Sequence, residues 1–395
     1  MNIILFDGKN RDNLLPLTFT RPVADLRTGI LTIKEKWEQH LKTNVSFLTQ
    51  IYLRKKFPYK IEKTNYLING SIIPNKGIIS EIKKLETGQL LIKNNEPIAV
   101  LLKDFRIETI DFNKLNDFEL IQSNSNFNQI NFPWDIFRLN GDEIENDFKL
   151  LTKNRKSQKL NNTVQTRQNE NIFLEKGAKV EFATLIPDNG YIYIGKNVEI
   201  MPGSIVKGSL AMCENSVLKL SSKIYGPTTI GPYSKVGGEV NNCVIQAYSN
   251  KGHDGFLGNS VIGEWCNLGA DTNNSNLKNN YTEVKLWNYQ KKGFVKSGLQ
   301  FCGLIMGDHS KCGINTMFNT GTVVGVSANI FGSGFPRNFI PSFSWGGASG
   351  FTTYKLAKVF ETAELVMQRR NIEFDETEKE IFEDVFKMTE EFRLK

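Results

Sequence analysis

Cysteine and histidine are scarce in this chain. Its 395 residues hold five cysteines, Cys213, Cys243, Cys266, Cys302 and Cys312, an odd number with no C-x-x-C spacing. That argues against a disulfide framework and a structural zinc site, and fits a reducing, cytoplasmic compartment. Only three histidines occur, His40, His253 and His309, so imidazole chemistry has few bearers. No apolar run approaches the ~18 residues of a membrane helix. The opening Met1-Asn2-Ile3-Ile4-Leu5-Phe6-Asp7 reaches an acid after a handful of apolar residues. It reads as a first strand and not as a signal peptide. Neither sign of charge dominates: 49 basic against 42 acidic residues leave +7. This suits anionic small molecules as well as it suits nucleic acid, and decides little between them. No nucleic-acid module and no basic-aromatic stripe is present, which disfavours a nucleic-acid partner.

What the chain does have is a six-residue period. Apolar residues recur at Ile194, Ile200, Val206, Met212, Leu218, Ile224, Ile230 and Val236. The phase slips by two and resumes at Phe256, Ile262 and Leu268. It slips again and returns at Met306, Cys312, Phe318, Val324 and Ile330. Six is neither the helical nor the strand period. It is the period of a parallel β-helix, in which each short strand sends one apolar residue inward and coils must stack to bury a core. The slip after Val236 reads as an insertion bulging from the coil, and His253 lies in it. Loops on rigid scaffolds often carry function.

Residues 1–105 alternate strands and helices. Ile3–Phe6, Val45–Leu48 and Tyr66–Ile68 are strands, Leu31–Leu41 is a helix, and Leu90–Val100 is an added hairpin. This predicts a small α/β domain with a largely parallel sheet. Helical spacing runs from Trp134 to Leu151, and two helices follow the repeats, one from Leu356 and one around Ile381–Phe392. The expected domains are an α/β domain over 1–150, a linker over 151–174, a left-handed β-helix over 175–340 and a helical cap over the open end of the coil, 341–395.

Around His253 the order is Gly252-His253, Phe256-Leu257-Gly258, Ile262-Gly263, Asn267-Leu268-Gly269-Ala270-Asp271-Thr272 and Asn276. This resembles the acetyltransferase half of the bifunctional GlmU family, which joins glucosamine-1-phosphate N-acetyltransferase to UDP-N-acetylglucosamine pyrophosphorylase. The resemblance implies that His253 is the general base. It places Glu239, Asn241, Phe256 and Asn267 at sugar positions and Ala270 and Asn276 at acetyl-CoA positions; Lys278, one of the lysines of 272–300, is a further candidate for acetyl-CoA. Phe256 stands where the family usually has Tyr, and Asn241 where it has a phosphate-binding Lys. The chemistry is consistent: an amine attacks a thioester only when deprotonated, and an imidazole of ordinary pKa ~6.5 accepts that proton at neutral pH. His309 occupies an ordinary hexad turn and reads as structural. The lysines of 272–300 and the Arg369-Arg370 pair are open between coenzyme phosphates and a solvated surface.

After the first strand comes Asp7-Gly8-Lys9-Asn10-Arg11, with Pro16-Leu17-Thr18 and Thr20-Arg21-Pro22. A loop leaving a first strand toward basic residues is where an α/β sheet places phosphates. The segment resembles the opening of a sugar nucleotidyltransferase, with the glycine-rich part reduced to Gly8 and Val23 in place of a lysine. Phe132-Pro133-Trp134-Asp135 resembles the segment that follows that domain in archaeal-type relatives. The resemblance implies a nucleotide site at Gly8, Arg11, Arg21 and Arg27, with the three arginines lining one pocket. It implies UTP or another NTP and Mg²⁺. Where the family has a metal-binding Asp after Gly, this chain has Ser71, leaving Asp7 as the nearest carboxylate for a metal. Taken together these features point to a transferase of UDP-N-acetylglucosamine synthesis, working as a homotrimer on a sugar phosphate and a nucleotide. The alternatives are another amino sugar as acceptor, or a first domain that binds nucleotide without catalysis. A scaffold with no activity would leave His253 idle.

Overall fold

A computed structural model of the chain describes residues 1–103 and 114–393. It divides into two compact units. The first comprises Met1–Leu14, Arg21–Leu26 and Leu31–Phe132; the second comprises Leu15–Thr20, Arg27–Ile30 and Pro133–Lys395. The first unit ends at Phe132, and two short early segments belong to the second.

The first unit is a six-stranded sheet: β1 (Asn2–Phe6), β2 (Val45–Leu48), β3 (Thr64–Asn69), β4 (Gln89–Lys93), β5 (Glu96–Lys103) and β6 (Glu119–Gln122). Their spatial order is β2-β1-β3-β5-β4-β6. β1 runs parallel to β2 and β3, and β4 to β6, while β5 is antiparallel to both neighbours. The sheet is thus mixed, because the β4–β5 hairpin inserts an antiparallel strand. Ile4, Phe6, Leu67, Leu90, Ile92 and Val100 form one core. Helix α1 (Ile33–Leu41) starts at a capping box. The Thr32 hydroxyl accepts from the Glu35 N–H, and the Glu35 carboxylate accepts from the Thr32 N–H. Both would otherwise be orphan donors.

The second unit is built on three stacks of short parallel strands, typical of a left-handed β-helix. Their faces begin at Gln165–Thr166, Ile172–Leu174 and Lys179–Val180. Coils run from Gln165, ten residues before the expected start, to the strand at Ser344–Gly347. Ile200 stacks on Leu218, and Val206 on Ile224, both eighteen residues on. The six-spaced residues line one continuous core, with one exception. Leu257 points inward and Phe256 does not.

That exception traces to the slip, which is a deletion and not an insertion. Turns leading from the third face to the first normally hold four residues, as in 219–222, 252–255 and 269–272. Between Val236 and Glu239 only Gly237 and Gly238 remain. A third residue is missing between Asn241 and Val244, so Val236 stacks on Lys251, fifteen residues on. Gly238 has φ +73°, a region that favours glycine. A Cβ on it would meet Asp254 Cα and His253 O, both at 2.8 Å. The second phase change is a true insertion. Ile262 stacks on Met306, and the intervening chain forms an antiparallel hairpin, Lys285–Asn288 with Gly293–Lys296.

The predicted helix at 134–151 is two: α2 (Pro133–Arg138) and α3 (Asn140–Thr152). Asn140 at the break accepts from the Gly29 N–H and the Thr229 hydroxyl and donates to the Pro227 carbonyl. The C-terminal helices are α4 (Leu356–Gln368) and α5 (Glu376–Met388), and their segment contacts several coils. Arg370 donates to the Tyr233 carbonyl, while Phe382 packs on both His309 and Phe343. Gly350–Thr353 pairs antiparallel with Ser344–Gly347 at the last coil.

Candidate functional site

His253 is exposed on the turn 252–255 and borders two clefts of the second unit. The smaller, about 390 Å³, is the notch left by the missing residues. Gly237 and Gly238 lie in its lining, with Lys219 and Leu220 from the preceding coil. Two full-length turns enclose a shortened one, so bare backbone is available beside the imidazole. The larger cleft, about 690 Å³, also borders His253, Asn267 and Ala270, shares Lys219, and adds Lys235, Lys311, Arg369 and Arg370. Its cations crowd one another. Burial, then the charges of Arg370, Lys219 and Arg369, hold the Lys235 ammonium below its ordinary range. Such a cluster favours an anionic ligand.

One wall of the larger cleft is aromatic. Tyr233, Tyr248 and Trp265 stack in sequence with centroids 5.1 and 4.2 Å apart and planes within 8°. His309 continues the column, 5.9 Å from Trp265, and meets Phe382 edge-on at 5.0 Å. Each of these four residues holds the left-handed corner of its coil. His309 is therefore placed as a packing residue, buried to 7% exposure.

The remaining residues expected from sequence are divided among several places. Glu239 and Phe256 are register partners on the first face, and Asn241 lies two residues along the same strand. The Tyr225 hydroxyl donates to the Glu239 carboxylate at 2.5 Å. Asn276 donates to Asn259, and the Lys278 ammonium donates to the Glu283 carbonyl at 2.8 Å. The structure thus brings His253, Asn267 and Ala270 to one cleft and leaves Asn276 and Lys278 outside its lining. Sequence reasoning missed Lys219, Lys235, Tyr248 and Trp265. Their mark was present: Lys219 and Lys235 each adjoin an inward residue of the six-period.

In the first unit, Gly8 follows β1, and a Cβ there would meet Asn69 Nδ2 at 2.9 Å. Arg11 is buried, donating to Tyr52 Oη at 2.7 Å and Asp12 at 2.9 Å. Arg21 pairs with Asp25 at 3.2 Å. Arg27 departs from the expected trio: it belongs to the second unit. Its guanidinium donates to the Ile30 carbonyl, and its backbone N–H and C=O both bond the Gln246 amide.

The expected metal does not fit these residues. One Asp7 oxygen accepts from the Val23 N–H at 2.8 Å and the other from the Thr49 hydroxyl at 2.5 Å. Burial pushes its carboxyl above the ordinary range. Ser71 is fully buried and donates to Asn69 Oδ1. Among the described residues no group of three or more His, Cys, Asp or Glu could hold a metal ion. None of their helices is long and apolar enough to cross a membrane.

Residues 3–156 match the family described as sugar nucleotidyl transferase. A bifunctional sugar-1-phosphate nucleotidylyltransferase/acetyltransferase of Sulfurisphaera tokodaii is 27% identical over 271 residues, 67% of this chain and 57% of that protein. The bifunctional protein GlmU of Methanococcus aeolicus is 26% identical over 268 residues, 67% and 56% of the two chains. The chain therefore spans less than three-fifths of these curated relatives. Among solved structures, an Arabidopsis UDP-N-acetylglucosamine acyltransferase aligns over 54% of this chain and 80% of that one, with 15% identity and a TM-score of 0.24. The chain carries a sugar nucleotidyltransferase domain followed by a hexapeptide acyltransferase-like β-helix, and its distant relatives are GlmU-like bifunctional nucleotidylyltransferase/acetyltransferases.

Proposed function

We propose that the chain is a transferase of sugar-nucleotide synthesis. Its β-helix moves an acetyl group from acetyl-CoA to the amine of glucosamine-1-phosphate, and its first unit transfers uridylyl from UTP to give UDP-N-acetylglucosamine. The observation that carries the reading is the exposed His253 at the junction of a glycine-lined notch and a cationic cleft. The acceptor binds as an ammonium and must lose a proton before it attacks the thioester carbonyl. His253 takes that proton. The new C–N bond forms, the C–S bond breaks, and the thiolate leaves as coenzyme A. Lys219, Lys235, Arg369 and Arg370 supply charge for phosphates on either substrate. Glu239, Asn241, Phe256 and Asn267 take the sugar, and Ala270, Asn276 and Lys278 take acetyl-CoA.

We further propose a homotrimer. Large apolar side chains stand exposed on the corner that carries His253: Phe182, Leu220 and Ile314, at 62%, 64% and 71% exposure. A neighbouring copy would cover them. Light scattering that reports a monomer at micromolar concentration would remove this part of the reading.

A second reading is favoured by a specific observation. Asp7 and Ser71 are both committed to hydrogen bonds within the first unit. This favours a unit that binds nucleotide through Gly8, Arg11 and Arg21 without transferring it. The exchange of Asn241 for a phosphate-binding lysine similarly leaves room for another amino sugar. One assay separates these readings: purified protein with acetyl-CoA and glucosamine-1-phosphate, followed by UTP with Mg²⁺. Acetylation without uridylyl transfer selects the second reading. No acetylation of any amino sugar phosphate removes the first.

A further inference from the structure

Third-face strands of the β-helix send an apolar residue inward: Val236, Leu268, Cys312 and Ile330 all join the core. Lys251 breaks the series. It stacks directly on Val236, and only 2% of it is exposed. An ammonium inside an apolar coil is unfavourable unless it is bonded. Here it donates to two backbone carbonyls, His253 O at 2.5 Å and Asp254 O at 3.0 Å.

The neighbouring turns explain what this achieves. In each ordinary four-residue turn the last residue is a hydroxyl side chain that bonds the carbonyl of the first. Ser204 bonds Met201 O, Ser222 bonds Lys219 O, Thr272 bonds Gly269 O and Thr316 bonds Gly313 O, at 2.6–2.8 Å. The His253 turn ends in Gly255, which has no hydroxyl. A side chain cannot be added there. Gly255 has φ +108°, and a Cβ would lie 2.2 Å from Thr272 O. The turn is also glycine at its start, Gly252, whose Cβ position has nothing within 4 Å. Between two glycines, and without the usual clamp, the backbone bearing His253 needs another anchor.

We propose that Lys251 is a positioning residue: its ammonium, reaching from inside the coil, clamps the turn that carries His253 and fixes the imidazole's place over the cleft. It replaces the hydroxyl clamp of the other turns. It acts on the backbone of His253 and touches no substrate. The catalytic half of this statement rests on the acetyl-transfer reading; the clamp itself does not.

The test uses the full chain and two variants. Lys251→Met keeps the length and removes every donor, while Lys251→Gln keeps an amide donor. Hydrogen exchange is followed at residues 253–255 and at Asp271, whose N–H donates to Asp254 O. In Lys251→Met these amides should exchange at least about tenfold faster, with the remaining β-helix unchanged. The kcat for acetyl transfer should fall by about 10- to 100-fold, with KM for acetyl-CoA within about twofold. Lys251→Gln should lie between Met and wild type on both measures. Unchanged exchange in Lys251→Met overturns the clamp. Faster exchange with unchanged kcat overturns the positioning role. A wild-type protein that acetylates no amine removes the acetyl-transfer reading and with it the catalytic half, while the exchange result still decides the clamp.

Discussion

Gly238→Ala offers the sharpest test of how the notch beside His253 is made. Two costs are readable from its position. The backbone sits at φ +73°, which costs an L-residue about 1–2 kcal/mol. The added methyl would also meet Asp254 Cα and His253 O at 2.8 Å and Gly255 O at 2.9 Å. These are backbone atoms of the next turn and cannot rotate away, so overpacking adds about 1–3 kcal/mol. Gly208→Ala separates the two terms. Gly208 has φ +98°, and its Cβ would find nothing nearer than 3.5 Å. It should lose about 1–2 kcal/mol from backbone strain alone, against about 2–5 kcal/mol for Gly238→Ala. Denaturant unfolding of both variants measures the difference. Kinetics should separate them further, because the methyl pushes the oxygen that Lys251 grips. A shift of several tenths of an ångström should cost Gly238→Ala at least about tenfold in kcat, while Gly208→Ala keeps it. Equal stability loss and equal kcat in the two variants would refute the reasoning.

His253→Ala should lower kcat for acetyl transfer by about two to four decades with little change in acetyl-CoA affinity, and a high pH that frees the amine should restore part of the rate. His309→Ala should instead destabilise the fold by about 2–4 kcal/mol through loss of its contacts with Trp265 and Phe382, measured by urea unfolding, with kcat of the folded protein retained. Burial pushes the Lys251 and Lys311 ammoniums from 10.5 down to about 8. Between those values the unfolded chain holds protons the folded chain has released, so stability should rise with pH across the window and carry its full penalty below it. Lys251→Met should flatten that rise by about 3 kcal/mol, seen in denaturation midpoints at pH 7 and pH 10.5. Asp7→Ala leaves the Val23 N–H and Thr49 hydroxyl without their acceptor and should cost the first unit about 2–4 kcal/mol; an unchanged midpoint would return Asp7 to consideration as a metal ligand.

The sequence by itself determined the β-helix, because a stacked coil writes its core into the chain at a fixed interval. Ile194 to Val236 repeat every six residues since each sits at the same point of a triangular turn, and the structure buries them together. The first unit's strands and helix α1 were legible for the same local reason. The meaning of the phase slip was not. Four missing residues and two added ones shift a six-residue period alike, and only stacking, Val236 on Lys251, tells them apart. Arg27 reads as a phosphate ligand beside Thr20-Arg21-Pro22, yet Gln246, far along the chain, holds its backbone in the second unit. The cationic cleft likewise gathers Lys219, Lys235, Arg369 and Arg370 from distant positions. A period records what each coil repeats. Which side chains meet across coils, and where one coil falls short, depends on the offset between neighbours, which only the tertiary structure decides.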